Sequence, residues 1–169
     1  MTPADTVDRA RSAVGHGCDY HLGAGGMRPN EPHPWDKREG RIACDCSGFA
    51  MWAWGLSRFQ KPVWFDTSRI VAEARYGKGL FEALATWADL KPGDGLVWGD
   101  RHGKQGHVGV VVSVDPVRVI HCSRGNWLKS EPKDAIQETD ASVFEKNGAL
   151  AVRCKLLTVP VGAGAEGSI

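Results

Sequence analysis

Apolar positions along this chain recur with two different periods. Val7, Ala10, Ala13 and Val14 fall on one side of a helix from Ala4 to Val14, with Thr2 or Asp5 able to cap it. Phe49, Trp52, Ala53 and Leu56 repeat the helical spacing, and Met51 and Trp54 thicken the stripe. A third helix is predicted from Ser68 to Tyr76, capped by Asp66 or Thr67 and ended by Gly77. The pattern then changes. Leu96-Val97-Trp98 reads as a short strand, and His107 to Val114 is a β-branched run suited to a sheet buried on both faces. Asp115-Pro116 turns that run, and Arg118 to Ser123 returns beside it as an antiparallel hairpin. A weaker strand covers Ile136 to Thr139, a helical turn Asp140 to Lys146, and a last strand Ala149 to Leu156. Leu80 to Trp87 fits helix and strand equally.

The polar stretches divide these elements. Gly15 to Arg41, rich in Gly, Pro and charge, is expected to be one long irregular segment. Pro92-Gly93-Asp94 is turn chemistry, and the following Gly95 suggests a bulge at the start of its strand. Gly99 to Gly106 is a polar loop. Residues 1–160 are expected to form a single domain, and 161–169 a flexible tail of small residues.

Composition narrows the function more than the fold. A chain of 169 residues, 42% hydrophobic and 24% charged, is long enough for one proper core. The net charge of +1 argues against broad electrostatic capture of nucleic acid or anionic membrane. No window is apolar for long enough to span a bilayer, and the first residues do not resemble a secretory leader. Five cysteines, Cys18, Cys44, Cys46, Cys122 and Cys154, do not form a disulfide framework, and most are expected to be free.

The chemistry concentrates at Asp45-Cys46-Ser47-Gly48-Phe49. A helix beginning at Cys46 sets its sulfur among unpaired backbone N–H groups at the positive end of the dipole, which favours the thiolate. Asp45, or Ser47 if the helix starts later, can cap the first turn. His107 opens the strongest strand, and His121 lies on its hairpin partner. Cross-strand Cβ atoms lie ~5 Å apart, or ~7–8 Å on the diagonal, so one imidazole can hydrogen-bond the other. A thiol, a base and a residue orienting that base form the arrangement needed for a cysteine nucleophile. An imidazolium ~4 Å from a thiolate gives on the order of 4 kcal/mol at an effective dielectric of ~20, more than the helix end supplies, so His107 is expected to dominate thiol activation.

These blocks resemble the NlpC/P60 cysteine peptidases, bacterial and phage enzymes that cut the peptide part of peptidoglycan. Asp45-Cys46-Ser47-Gly48-Phe49 resembles the nucleophile motif, His107-Val108-Gly109-Val110 the strand of the base, and Ile120-His121-Cys122-Ser123 the strand of the third residue. Tyr20-His21-Leu22-Gly23-Ala24-Gly25-Gly26 more loosely resembles the element whose tyrosine lies beside the nucleophile. The resemblance implies an α+β papain-like fold, an antiparallel sheet packed on the helix that carries Cys46. It also implies Cys46 as nucleophile, His107 as base and acid, and His121 as orienting residue. Tyr20 is then a candidate oxyanion donor beside the Cys46 amide, and Asp45 and Ser47 candidate substrate contacts. The implied substrate is a peptidoglycan stem peptide, cut between D-glutamate and the following diamino acid, with no cofactor.

Other readings use the same residues. An N-acetylmuramoyl-L-alanine amidase or an acyltransferase shares the machinery. Cys18, His21, Cys44 and Cys46 form a possible zinc set, although Cys44-x-Cys46 is tighter than usual. His102 could replace His107 as base. Trp35 and Trp127, in predicted loops, are candidate substrate contacts. A monomer is expected, with an inhibitor or immunity protein as a conceivable partner for a phage lysin or injected effector.

Overall fold

The structure, a computed structural model, describes residues 1–158; the tail expected at 161–169 lies outside the described residues. Helix α1 (Pro3–Ser12) starts where Thr2 and Asp5 cap each other's backbone N–H groups, so both predicted caps act together. The segment expected to be irregular, Gly15 to Arg41, holds two short strands, β1 (Asp19–Tyr20) and β2 (Asp36–Arg38), and a third, β3 (Arg41–Cys44), begins at its end. They form a small sheet in the order β1-β3-β2, with β1 parallel to β3. Elements of two to four residues carry too few side chains to show a period.

Helix α2 (Cys46–Ala53) follows directly, with Asp45 as its N-cap. Every residue of α2 is buried, not only the stripe expected from periodicity. That burial suits a helix apolar all round, lodged between α1 and the large sheet. The indole N–H groups of Trp52 and of the C-cap residue Trp54 are satisfied: Trp52 Nε1 donates to Glu31 O and Trp54 Nε1 to Gly93 O. Removing the Phe49 ring from water contributes about 1.5–3 kcal/mol, and Phe49 is fully buried.

A two-strand ribbon of β4 (Phe59–Gln60) and β5 (Val63–Trp64) leads to α3 (Thr67–Tyr76), capped by Asp66 and ended by left-handed Gly77. The ambiguous stretch after it divides into strand β6 (Phe81–Ala83) and a 3-10 turn at Trp87–Asp89. The remaining elements are β7 (Gly95–Trp98), β8 (His107–Val114), β9 (Val117–Cys122), α4 (Arg124–Lys129), β10 (Ile136–Asp140), α5 (Ser142–Lys146) and β11 (Leu150–Cys154). Six strands form one antiparallel sheet in the order β10-β9-β8-β7-β11-β6. The α+β class expected from the sequence is the class observed.

Two local expectations are corrected. Gly95 pairs regularly with Val110, and its missing Cβ makes room for the Trp54 ring, whose Cζ2 would lie 2.7 Å from a Cβ. The register shift lies instead in the hairpin, between Val111 and Ser113. Trp127 sits in α4, not in a loop, and its indole N–H bonds Asp19 Oδ1 at 2.9 Å.

Candidate active site

The switch from β3 to α2 builds the first half of the site. Asp45 accepts from Gly48 N at 2.7 Å and from Gly23 N at 2.6 Å, which fixes the loop preceding the helix against its first turn. Arg58 then grips the same carboxylate through two nitrogens, at 3.0 and 3.1 Å, and donates to Ser47 Oγ at 2.7 Å. Both ionic side chains are at most 2% exposed. Asp45 therefore spends its oxygens on the protein itself, and the substrate contact expected of it is replaced by a structural one. Arg58, unmarked by any sequence motif, is the missed residue here; a lone arginine beside a turn carried no signal.

Gly48 completes the packing. A Cβ there would lie 2.5 Å from Ala24 O and 2.9 Å from Gly25 C, so only glycine lets this loop close on the helix. The loop carries Tyr20 toward the thiol. Its hydroxyl pKa is raised, first by burial and then by the nearness of Cys46.

The hairpin builds the second half. His107 Nε2 and His121 Nδ1 are 2.7 Å apart, and the rings meet edge to face. Gly109 makes this possible: a Cβ there would stand 3.0 Å from His121 Cβ and 2.8 Å from Phe144 Cζ. Phe144 stacks on His107, and Trp98 packs tilted against both rings. Thr139 Oγ1 lies 3.0 Å from His121 Nε2, adding a hydroxyl that sequence reading missed because it sits on a different strand.

Helix α2 packs on β8 and brings the two halves together. The backbone N–H groups of Ser47 and of Val108, the residue next to His107, lie close enough to the Cys46 sulfur to favour its thiolate. Among the described residues no hydrogen bond joins the thiol to the His107 ring, whose Nδ1 is left without a partner. Burial pushes the Cys46 thiol up to about 12, helped by Asp45 and opposed by the two backbone donors and Arg58. Burial also drives His107 well below the usual imidazole range, assisted by His121, and lowers His121 to about 4. Burial thus works against the thiolate–imidazolium pair expected from the sequence. Cys46 is only 3% exposed, and desolvation outweighs the backbone donors and Arg58.

A cleft of about 670 Å³ reaches the thiol, lined by Leu22, Gly23, Cys46, Ser47, Trp64 and the loop from Asp100 to Gly106. Trp64 is the aromatic residue at this cleft. Trp35 stacks on His33 instead, and Trp127 belongs to α4, so neither candidate tryptophan lines it. His102 lines the cleft wall in a left-handed conformation.

The zinc reading is not supported. Cys18 and Cys44 pack with Cys122 in the core, whereas His21 is exposed against Arg38. Among the described residues no group of three or more His, Cys, Asp and Glu is placed to hold a metal ion. All five cysteines are free thiols, and all are buried. No helix among the described residues is long and apolar enough to cross a membrane.

No family model matches the chain, and no curated protein matches it in sequence. Solved structures do. NlpC1 from Trichomonas vaginalis is 19% identical over 90% of this chain, and NlpC2 from the same organism 18% over 91%, each with a TM-score of 0.51. The matches span 43% and 46% of those two chains, so this chain covers less than half of either. The chain thus has an NlpC/P60-like fold.

Proposed function

We propose that this protein is a cysteine hydrolase that cuts an amide bond in peptidoglycan stem peptides, between D-glutamate and the diamino acid that follows. Cys46 attacks the carbonyl carbon, and its proton passes to His107 Nδ1. His107 then protonates the leaving amine, and the amide C–N bond breaks to leave a thioester on Cys46. Water, deprotonated by His107, hydrolyses the thioester and releases the acid. His121 holds the His107 ring. The Cys46 backbone N–H and the Tyr20 hydroxyl are the candidate donors to the oxyanion.

The observation that carries this reading is the imidazole pair beside the nucleophile helix. His107 Nε2 is held 2.7 Å from His121 Nδ1, His107 Nδ1 has no partner among the described residues, and α2, which begins at Cys46, packs on the strand that begins at His107. A resting neutral pair suits the scheme, because a neutral imidazole can accept the thiol proton as attack begins. The cleft has mixed charge, with Asp66, Asp100, Arg101 and Lys104 on its walls. That suits a substrate carrying both amine and carboxylate groups.

Mass spectrometry of muropeptides after digestion tests the bond. A new free amine on the diamino acid supports the proposal. A new free amine on the first L-alanine would assign the amidase reaction instead.

A further inference from the structure

The imidazole pair does not end at His121. His121 Nε2 is 3.0 Å from Thr139 Oγ1, and that hydroxyl lies 2.8 Å from the carbonyl oxygen of Asp140. A carbonyl oxygen can only accept, so the single hydroxyl proton of Thr139 points to Asp140. The Thr139 oxygen is then left to accept, and His121 must carry its proton on Nε2. A neutral imidazole protonated on Nε2 has a lone pair on Nδ1. His121 Nδ1 faces His107 Nε2 at 2.7 Å, so His107 in turn must be the donor there. Its own lone pair falls on Nδ1. That is the nitrogen with no partner among the described residues.

We propose that Thr139 is a positioning residue that sets the tautomers of both histidines and thereby makes His107 Nδ1 the basic atom. The proposal rests on His107 acting as the base toward Cys46. The Asp140 carbonyl orients the Thr139 hydroxyl, the hydroxyl orients His121, and His121 orients His107. With the opposite polarity, Thr139 would donate to His121 Nε2 and His121 Nδ1 would donate to His107 Nε2. His107 would then carry its proton on Nδ1 and could not take one from the thiol. The single hydroxyl separates a working base from a blocked one. Both histidines are neutral near pH 7 because burial lowers them, so tautomer choice, not charge, is the variable in play.

The site is suited to such control. Thr139 lies on β10, the edge strand paired with β9, with Thr139 opposite Val119 and Gln137 opposite His121. It is half-buried, and valine has nearly its shape and an equal taste for strands. The Thr139→Val substitution therefore removes the hydroxyl and leaves the strand.

The test uses protein labelled with ¹⁵N in its histidines, together with muropeptide turnover, for wild type, Thr139→Val and Thr139→Ser. In wild type, imidazole ¹⁵N shifts should report Nε2–H for both His107 and His121. Thr139→Val should mix the tautomers and lower kcat about tenfold or more, with KM within about twofold, since a misplaced proton harms the chemical step and not binding. Thr139→Ser should restore both readouts. Wild-type tautomers and wild-type kcat in Thr139→Val would overturn the proposal, as would failure of serine to restore them. The spectra need no substrate. If hydrolysis survives Cys46→Ala, the proposed reaction fails while the tautomer result stands; unchanged tautomers in Thr139→Val remove the relay whatever the reaction.

Discussion

Arg58 and Asp45 form a two-point ion pair, at 3.0 and 3.1 Å, directly beneath the first turn of the helix that carries Cys46. Neither charge reaches solvent, and the pair is tied on to the Gly48 amide, the Ser47 hydroxyl and the Ala24 carbonyl. Its job follows from its place: it locks the loop Gly23–Gly26 onto the nucleophile helix and offsets the negative charge that Asp45 would otherwise impose on the thiol.

Breaking a buried pair from one side strands the other charge, at a cost of about 3–5 kcal/mol. Arg58→Met and Asp45→Asn should each lower stability in urea by that order. The double variant should lose less than the sum of the two, because no stranded charge remains. Additive losses would mean the two residues act independently.

Gly109 predicts a separation of stability from geometry. A methyl group there meets Val119, Phe144 and His121 at 2.5–3.0 Å. Overpacking costs typically 1–3 kcal/mol, so Gly109→Ala should fold with a lowered Tm. Its activity should fall further than its stability loss explains, because His121 must move away from His107. A variant with normal activity and a lowered Tm would show that the imidazole pair tolerates displacement.

How much of this was legible in the sequence depends on the range of the force involved. His107, Gly109 and His121 were readable as a hairpin because strand period and turn chemistry are local. The cap at Asp45 was readable for the same reason. The ionisation of the thiol was not. From the sequence, Cys46 sits at a helix end near an imidazole, which favours the thiolate; its burial depends on α1 and the large sheet packing on α2 from elsewhere in the chain. Arg58 and Thr139 were invisible for a related reason, since each acts on residues 11 to 18 positions away through folded contacts alone. The strands β1 and β2 were missed because two or three residues cannot display an alternation.

The histidines make stability fall in acid. Their folded pKa values are depressed, His121 to about 4 and His107 well below its ordinary value, whereas the unfolded chain titrates near 6.5. From pH 6.5 down to about 4 the unfolded state binds protons that the folded state refuses, so each histidine adds a slope of up to about 1.4 kcal/mol per pH unit. Thermal melts should show Tm falling across this window, and less steeply in His121→Gln. An unchanged slope in that variant would contradict the assignment.

The thiol has the opposite dependence. Its folded pKa of about 12 lies above the unfolded value, so a proton is retained on folding and stability declines as pH rises above 9. Alkylation of Cys46 by iodoacetamide in the folded protein should be slow at pH 7 and still climbing above pH 9. A rate already level at pH 7 would indicate a resting thiolate.

His107 and His102 provide a choice between bases. His102 stands on the cleft wall within an exposed loop, and His107 is clamped between Trp98, Phe144 and His121. His107→Ala should abolish muropeptide hydrolysis to within the assay limit, and His102→Ala should keep it within about threefold, general-base removal being worth 10²–10⁴-fold. The reverse outcome would move the base into the loop.

The sulfur itself gives the most direct measurement. Purified muropeptides should be cleaved by the wild-type protein and left intact by Cys46→Ala, with the variant's fold verified by its circular dichroism and melting curve. Loss of all cleavage in a folded variant is the predicted result. Cleavage that continues without the Cys46 thiol would contradict the account at its centre.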